Sequence, residues 1–222
     1  MKTNENFNNP MLDYDSEKNF FDKISKNISI MFDVGSCDES IYMQFNGIVH
    51  YFDPYQLYID NLKKQPNNNS ESFFNAVGLS DTENTIKFYP KSYSLVKRGH
   101  SGEECVDSIV IRGDKYMLEN NIDKIDFLKI DVECMETFVF RGFGQRLNDV
   151  KIIQFEYGMG QAEVGDNLNI MLTELEKYGF NNFYYMYHES TELIPIISRE
   201  DNWKWCNIVS YNSKYFNSVP WE

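Results

Sequence analysis

Four carboxylates fall where apolar runs stop: Asp131, Glu133 and Glu136 follow the run over residues 125–130, and Glu156 closes the run over 150–156. An apolar run with both faces buried suits an interior parallel strand, and in open α/β sheets ligands bind beyond the carboxyl ends of such strands. Acids placed there serve as metal ligands, as a general base, or as anchors for a cationic cofactor group. Asp131, Glu133 and Glu156 are the catalytic candidates. Asp131 and Glu156 are also the metal candidates, and an all-oxygen donor set suits Mg²⁺ better than Zn²⁺. A structural reading stands beside these, in which Glu133 caps the next helix and Glu136 offsets its macrodipole. Lys129 leaves the strand on the face opposite Ile130, as a partner for an acid rather than a catalyst.

Two earlier strand ends carry matching features. Asp33-Val34-Gly35-Ser36 closes an apolar run, and a glycine turn there lets backbone approach a ligand while the next helix offers its amides. The full glycine series of a dinucleotide fingerprint is missing, and Glu39 stands where a second glycine would be welcome. Asp53 ends the second run about 18 residues after Gly35, the spacing at which an acid accepts hydrogen bonds from both ribose hydroxyls of an adenosine-containing cofactor. Asp53 equally suits the N-cap of a helix opening at Pro54. Ser80 and Asp81, after the third run, either flank an adenine or form a plain turn. Of the three histidines, His50 is read as a core or edge residue, and His100 and His188 as candidate bases. Lys91, Lys97, Arg98 and His100 make one basic stretch, either a ligand contact or a solvated loop.

The elements that must hold these residues alternate. Strands are expected at 28–34, 47–52, 72–79, 108–111, 125–130 and 150–156, with an extra one at 85–89. Helices are expected at 14–26, at 36–45 with Ser36 or Asp38 as cap, and at 54–64, 114–121, 135–147 and 167–178, the last ended by Gly179. Such alternation implies right-handed βαβ units and a doubly wound, mostly parallel α/β sheet. Aromatic strands at 182–188 and 203–211 lack a helix between them and are expected to close the sheet as an antiparallel hairpin. That layout suits a methyltransferase-type Rossmann fold, with dehydrogenase and nucleotide-sugar relatives left open. Residues 1–13 read as a flexible arm before a single domain over 14–222.

With 42% hydrophobic residues the chain is globular, and a net charge of −13 disfavours general nucleic-acid binding. No apolar run reaches a bilayer-spanning length, and the polar, Asn-rich start fits neither a signal nor a transit peptide, so a cytoplasmic location is expected. Cys37, Cys105, Cys134 and Cys206 lack metal or disulfide spacing and read as reduced thiols. Trp203, Trp205 and Trp221 are expected in the core, with sugar stacking or a homodimer contact as alternatives.

The pieces Phe32-Asp33-Val34-Gly35-Ser36, Tyr51-Phe52-Asp53-Pro54, Asn75 to Asp81, the Lys129-Ile130-Asp131-Val132-Glu133 run and Phe155-Glu156, in this order, resemble the FkbM-type S-adenosylmethionine-dependent methyltransferases over residues 28–157. The resemblance implies a Rossmann-like class I methyltransferase fold with S-adenosylmethionine as cofactor. It further implies methyl transfer to a hydroxyl of a sugar or other small acceptor. Asp33, Gly35 and Ser36 would then cradle the methionine part, Asp53 the ribose and Asp81 the adenine side, with Asp131 as base or metal ligand. Ser94-Leu95 resembles the Ser-Leu element of the family's variable loop. Two departures stand out: Glu39 at the second glycine and Cys134 in place of the glycine after Asp-Val-Glu. Both would crowd or repel the cofactor, which raises the alternative of a degenerate module that binds cofactor or a protein partner without turnover.

Overall fold

The computed structural model describes residues 11–94, 104–188 and 190–222. In chain order these form α1 (Met11–Ile24), β1 (Ile30–Val34), β2 (Ile48–Phe52), α2 (Gln56–Leu62) and β3 (Glu71–Asn75). Next come β4 (Gly78–Leu79), β5 (Asn84–Phe88), β6 (Val106–Ile111), α3 (Gly113–Glu119), β7 (Ile125–Ile130) and α4 (Glu136–Phe143). The chain finishes with β8 (Val150–Tyr157), α5 (Leu168–Glu176), β9 (Phe180–Met186), β10 (Leu193–Pro195) and β11 (Cys206–Asn212).

Eight strands share one sheet in the order β10-β9-β11-β8-β7-β1-β2-β3. The five from β8 to β3 pair in parallel, and β11, β9 and β10 add antiparallel. Every residue of β7 is buried, which is why apolar side chains occupy both of its faces, with Asp126 and Lys129 as its two buried charges. On one face Met117, Phe140, Phe143 and Leu172 bring α3, α4 and α5 onto Phe32, Leu128, Ile153 and Phe155. On the other, Phe20, Phe21 and Ile24 of α1 cover Met31, Phe127 and Ile152, and the Trp221 ring closes edge-on against Phe20 at 5.2 Å.

Along this second face the pairing register puts Asp33, Lys129 and Gln154 side by side on β1, β7 and β8. This polar row is buried, so its members need partners: Asp33 pairs with Lys129, and Gln154 donates to Glu17 of α1.

Several expectations shift. The third strand stops at Asn75, whose Nδ2 donates back to Tyr51 O (2.9 Å). The chain then leaves the main sheet, and β4 joins β6 and β5 in a separate three-stranded sheet. Strands at 85–89 and 108–111 therefore exist but lie outside the main layer. Between β1 and β2 a 3-10 turn at Ile41–Gln44 replaces a longer helix, and its cap is Ser40, whose Oγ accepts from Tyr42 N (3.3 Å), not Ser36 or Asp38. The helix α4 stops at Phe143 because Gly144 takes φ +49°, and a 3-10 stretch carries the chain to Asp149. At the start, α1 reaches Met11, inside the segment read as an arm. The aromatic pair is present as β9 and β11, with the short edge strand β10 between them in sequence. No helix among the described residues is long and apolar enough to cross a membrane.

Candidate functional site

A cleft runs along the ends of β1, β2 and β4, lined among others by Gly35, Asp53, Leu79, Asp131 and Val132. Its floor needs a glycine. Gly35 takes φ +78°, and a Cβ there would come within 1.7 Å of Asp131 O, so the turn after β1 rests directly on the end of β7. Asp53 fixes that turn from the other side: its carboxylate accepts from Cys37 N (3.2 Å) and Tyr55 N (2.8 Å). It is not the cap of α2, which begins at Gln56 after Tyr55. Burial pushes Asp53 up to about 7, even against those two bonds and the nearby Lys129 charge.

The other residues expected beside a cofactor sit differently. Asp33 lies beneath the turn, accepting from Ser40 Oγ (2.6 Å) and pairing with Lys129 Nζ (3.3 Å), so it supports the floor rather than lining it. Ser36 is buried and its Oγ donates to Phe52 O (3.4 Å). Ser80 and Asp81 do not line the cleft. Ser80 O packs under α4, where a Cβ on Gly142 would approach it to 2.1 Å, and Asp81 O accepts from Arg112 Nη1 (2.8 Å). Gly78 and Leu79, just before them, occupy the wall instead, because the chain has already left the main sheet.

A second cavity adjoins the first through Gly35, Cys37 and Asp131. Glu17, Lys129, Glu156, His188 and Trp205 face it. Glu17 is half-buried, and one of its oxygens accepts from Gln154 Nε2 and Asn207 Nδ2, each at 2.9 Å. Burial pushes Glu17 up to about 7, with Lys129 opposing. Lys129 also meets Asp131 at 3.6 Å, and burial against its charge is outweighed by Asp33 and Asp131, which hold it above the ordinary lysine range. Glu39 stands exposed at this cavity and does not line the cleft.

The loop from β7 to α4 shapes the junction. Asp131 N donates to Val34 O (2.9 Å), then Glu133 and Cys134 take left-handed φ of +55° and +80°. The conformation a glycine would supply is thus kept by Cys134, at an expected strain of about 1–2 kcal/mol. Its side chain is buried away from the cleft wall, which Val132, Glu133 and Met135 form. Glu136 closes the loop by accepting from Val132 N (3.1 Å) and Gln161 Nε2 (3.1 Å), and burial pushes it up to about 8. Ser94 Oγ donates to Glu133 O (3.1 Å), placing the start of the Ser-Leu element beside this loop. Leu95, Lys97, Arg98 and His100 lie outside the described residues.

The loop and β8 bring one carboxylate oxygen each of Asp131, Glu133 and Glu156 within 4.8 Å of one another. Burial, then Asp131, Glu133 and Glu136, hold Glu156 well above the usual carboxylate range.

Of four other expectations, those for His50, Trp203 and Trp221 resolve in or against the core, and that for Trp205 does not. His50 is buried, stacked on Phe73 and bonded through Nδ1 to Tyr116 Oη (2.8 Å), and burial pulls it down to about 4. Trp203 stacks on Tyr157 and Trp221 packs with Tyr184 and Tyr211. Trp205 is 42% exposed.

Sequence reasoning missed Glu17 and Gln161. Glu17 was detectable, since it falls in the i, i+3, i+4, i+7 series with Phe20, Phe21 and Ile24, where an acid on the apolar face is out of place.

Against known proteins, the model of the Methyltransferase FkbM domain matches residues 33–181. A search of curated proteins found no significant match. Among solved structures, a TehB-like SAM-dependent methyltransferase from Corynebacterium glutamicum is similar at 12% identity and TM-score 0.46, covering 87% of each chain. The plantazolicin methyltransferase BpumL in complex with SAH gives 10% identity and TM-score 0.43, covering 90% of this chain and 83% of that one. The observed sheet order, with its antiparallel end, and the family match over two-thirds of the chain agree: this chain belongs to the FkbM methyltransferase family and has the Rossmann-like class I fold of S-adenosylmethionine-dependent methyltransferases.

Proposed function

We propose that the chain is an S-adenosylmethionine-dependent O-methyltransferase acting on a sugar or another small hydroxylated acceptor. The observation that supports this most is the meeting of two cavities at Gly35 and Asp131, one suited to a cofactor and one to an acceptor. The cofactor cleft fits its group: Gly35, seated on the end of β7, forms its floor, and Asp53 presents a carboxylate at the second strand end. The acids Asp53, Asp131 and Glu133 along it suit a ligand that carries a sulfonium and an α-ammonium group.

When bound, that cofactor supplies an activated methyl group. The chain's task is then to hold an acceptor oxygen in line at the cavity junction and to take its proton. Positioning contributes most to such a step. Asp131 is the group for the proton, since it faces both cavities and Lys129 steadies its charge. Glu39 and Cys134, the two departures from the family pattern, both lie off the cleft wall, which favours an active enzyme over a degenerate module. Four free cysteines suit a cytoplasmic setting.

Calorimetric titration with S-adenosylhomocysteine tests the reading directly. Binding is expected, with Asp53→Ala weakening it. Absence of binding in the full chain would sink the proposal. Asp131→Asn should keep cofactor binding and lose turnover, and unchanged turnover would remove Asp131 from the reaction.

A further inference from the structure

The cavity junction holds a carboxylate with no partner. Glu156 is only 8% exposed, its Oε2 is buried without a hydrogen bond, and it faces the second cavity. A buried carboxylate oxygen is unfavourable without a partner, and a ligand would supply the missing interaction. The neighbouring Gln161 does not supply it. Gln161 Nε2 is directed to Glu136 Oε2 (3.1 Å) and to the backbone oxygen of Glu156 (3.3 Å), and its own Oε1 accepts from Gly158 N (2.8 Å). Lys129 is engaged by Asp33 and Asp131.

Asp131 and Glu133 approach the same point from the β7 end, giving three carboxylate oxygens within 4.8 Å of one another. Oxygens sharing one hard cation at roughly 2.0–2.4 Å stand about 3–4 Å apart, so a small inward movement of the side chains forms the set. Oxygen-only donors select Mg²⁺ or Mn²⁺ over softer metals. Because Glu133 lines the cofactor cleft, Glu156 the second cavity and Asp131 both, the point lies between the two ligands.

We propose that Asp131, Glu133 and Glu156 bind one divalent cation of the Mg²⁺ class at the cavity junction, with coordination positions left for hydroxyl oxygens of the acceptor. The cation gives Glu156 its missing partner and fixes an acceptor oxygen beside the methyl donor. The acceptor part of this statement rests on the methyltransferase reading, whereas the cation site stands on the geometry alone.

Titration of the full chain with Mn²⁺, followed by electron paramagnetic resonance with Mg²⁺ as competitor, tests the site without any turnover. One competable Mn²⁺ per chain is expected, and Glu156→Gln should weaken it by about ten-fold or more while S-adenosylhomocysteine still binds. Glu133→Gln should show the same loss, which covers the case in which the Glu156 variant fails to fold. No Mn²⁺ uptake at about 1 mM, near the weak end of protein sites for hard cations, overturns the proposal, as does equal affinity in the wild type and a folded Glu156→Gln chain. Uptake of an amine-bearing sugar in place of Mn²⁺ would assign Glu156 to an ammonium group and overturn it too. Mn²⁺ binding without S-adenosylhomocysteine binding would leave the cation site standing and defeat only the functional reading.

Discussion

At the scale of single residues, the polar row under α1 concentrates the energetic risk. Lys129 is buried between Asp33 and Asp131, so removing its charge strands a buried carboxylate. Lys129→Met should cost about 3–5 kcal/mol in urea unfolding, and adding Asp33→Asn should recover part of that. Glu17 carries a pH signature. It releases its proton near 4.5 when unfolded and near 7 when folded, so between those values the folded chain binds more protons. Its contribution is whole below about 4.5 and is lost as pH rises through 7. Glu17→Gln keeps an acceptor for Gln154 and Asn207, so its urea midpoint should fall less than the wild type's across that window. Asp53, held at about 7, should make S-adenosylhomocysteine affinity drop as pH falls below that value, and Asp53→Asn should abolish the trend.

At the scale of elements, two loops make the site, and they differ in how far the sequence discloses them. The β1 turn is marked by Gly35, whose necessity is a contact with Asp131 O made across the sheet. Gly35→Ala combines a backbone clash with a left-handed φ and should cost about 4 kcal/mol or more, seen as loss of the cooperative unfolding transition. Strands β1, β2, β7 and β8 were legible because burial on both faces makes each of them mostly apolar despite a few buried polar residues. The break after Asn75 was not, since 72–79 reads as one apolar stretch and the side-chain bond from Asn75 to Tyr51 O that ends β3 leaves no local pattern. That single exit moved Ser80 and Asp81 from the expected adenine wall to the packing under α4. Cys134 hid its conformation in the same way, because only the backbone reveals that it adopts the shape of a glycine.

At the scale of the molecule, the family-matched stretch and the folded unit have different edges. The match spans 33–181, yet Glu17, Trp205 and Asn207 face the second cavity from outside it. Phe20, Phe21 and Ile24 bury α1 on the sheet, each contributing about 1.5–3 kcal/mol, a total comparable with the whole stability of a domain. A chain lacking residues 1–24 should therefore melt far lower than the full chain in calorimetry, or fail to stay folded. Kinship is written in the strands that frame both cavities, while the first helix adds Glu17 and the chain entering the last strand adds Trp205 and Asn207 to the wall of the second. On the proposed reading, substitutions at those three end residues alone would alter acceptor preference with the family-matched segment unaltered, so likeness over that segment says little about what two members modify.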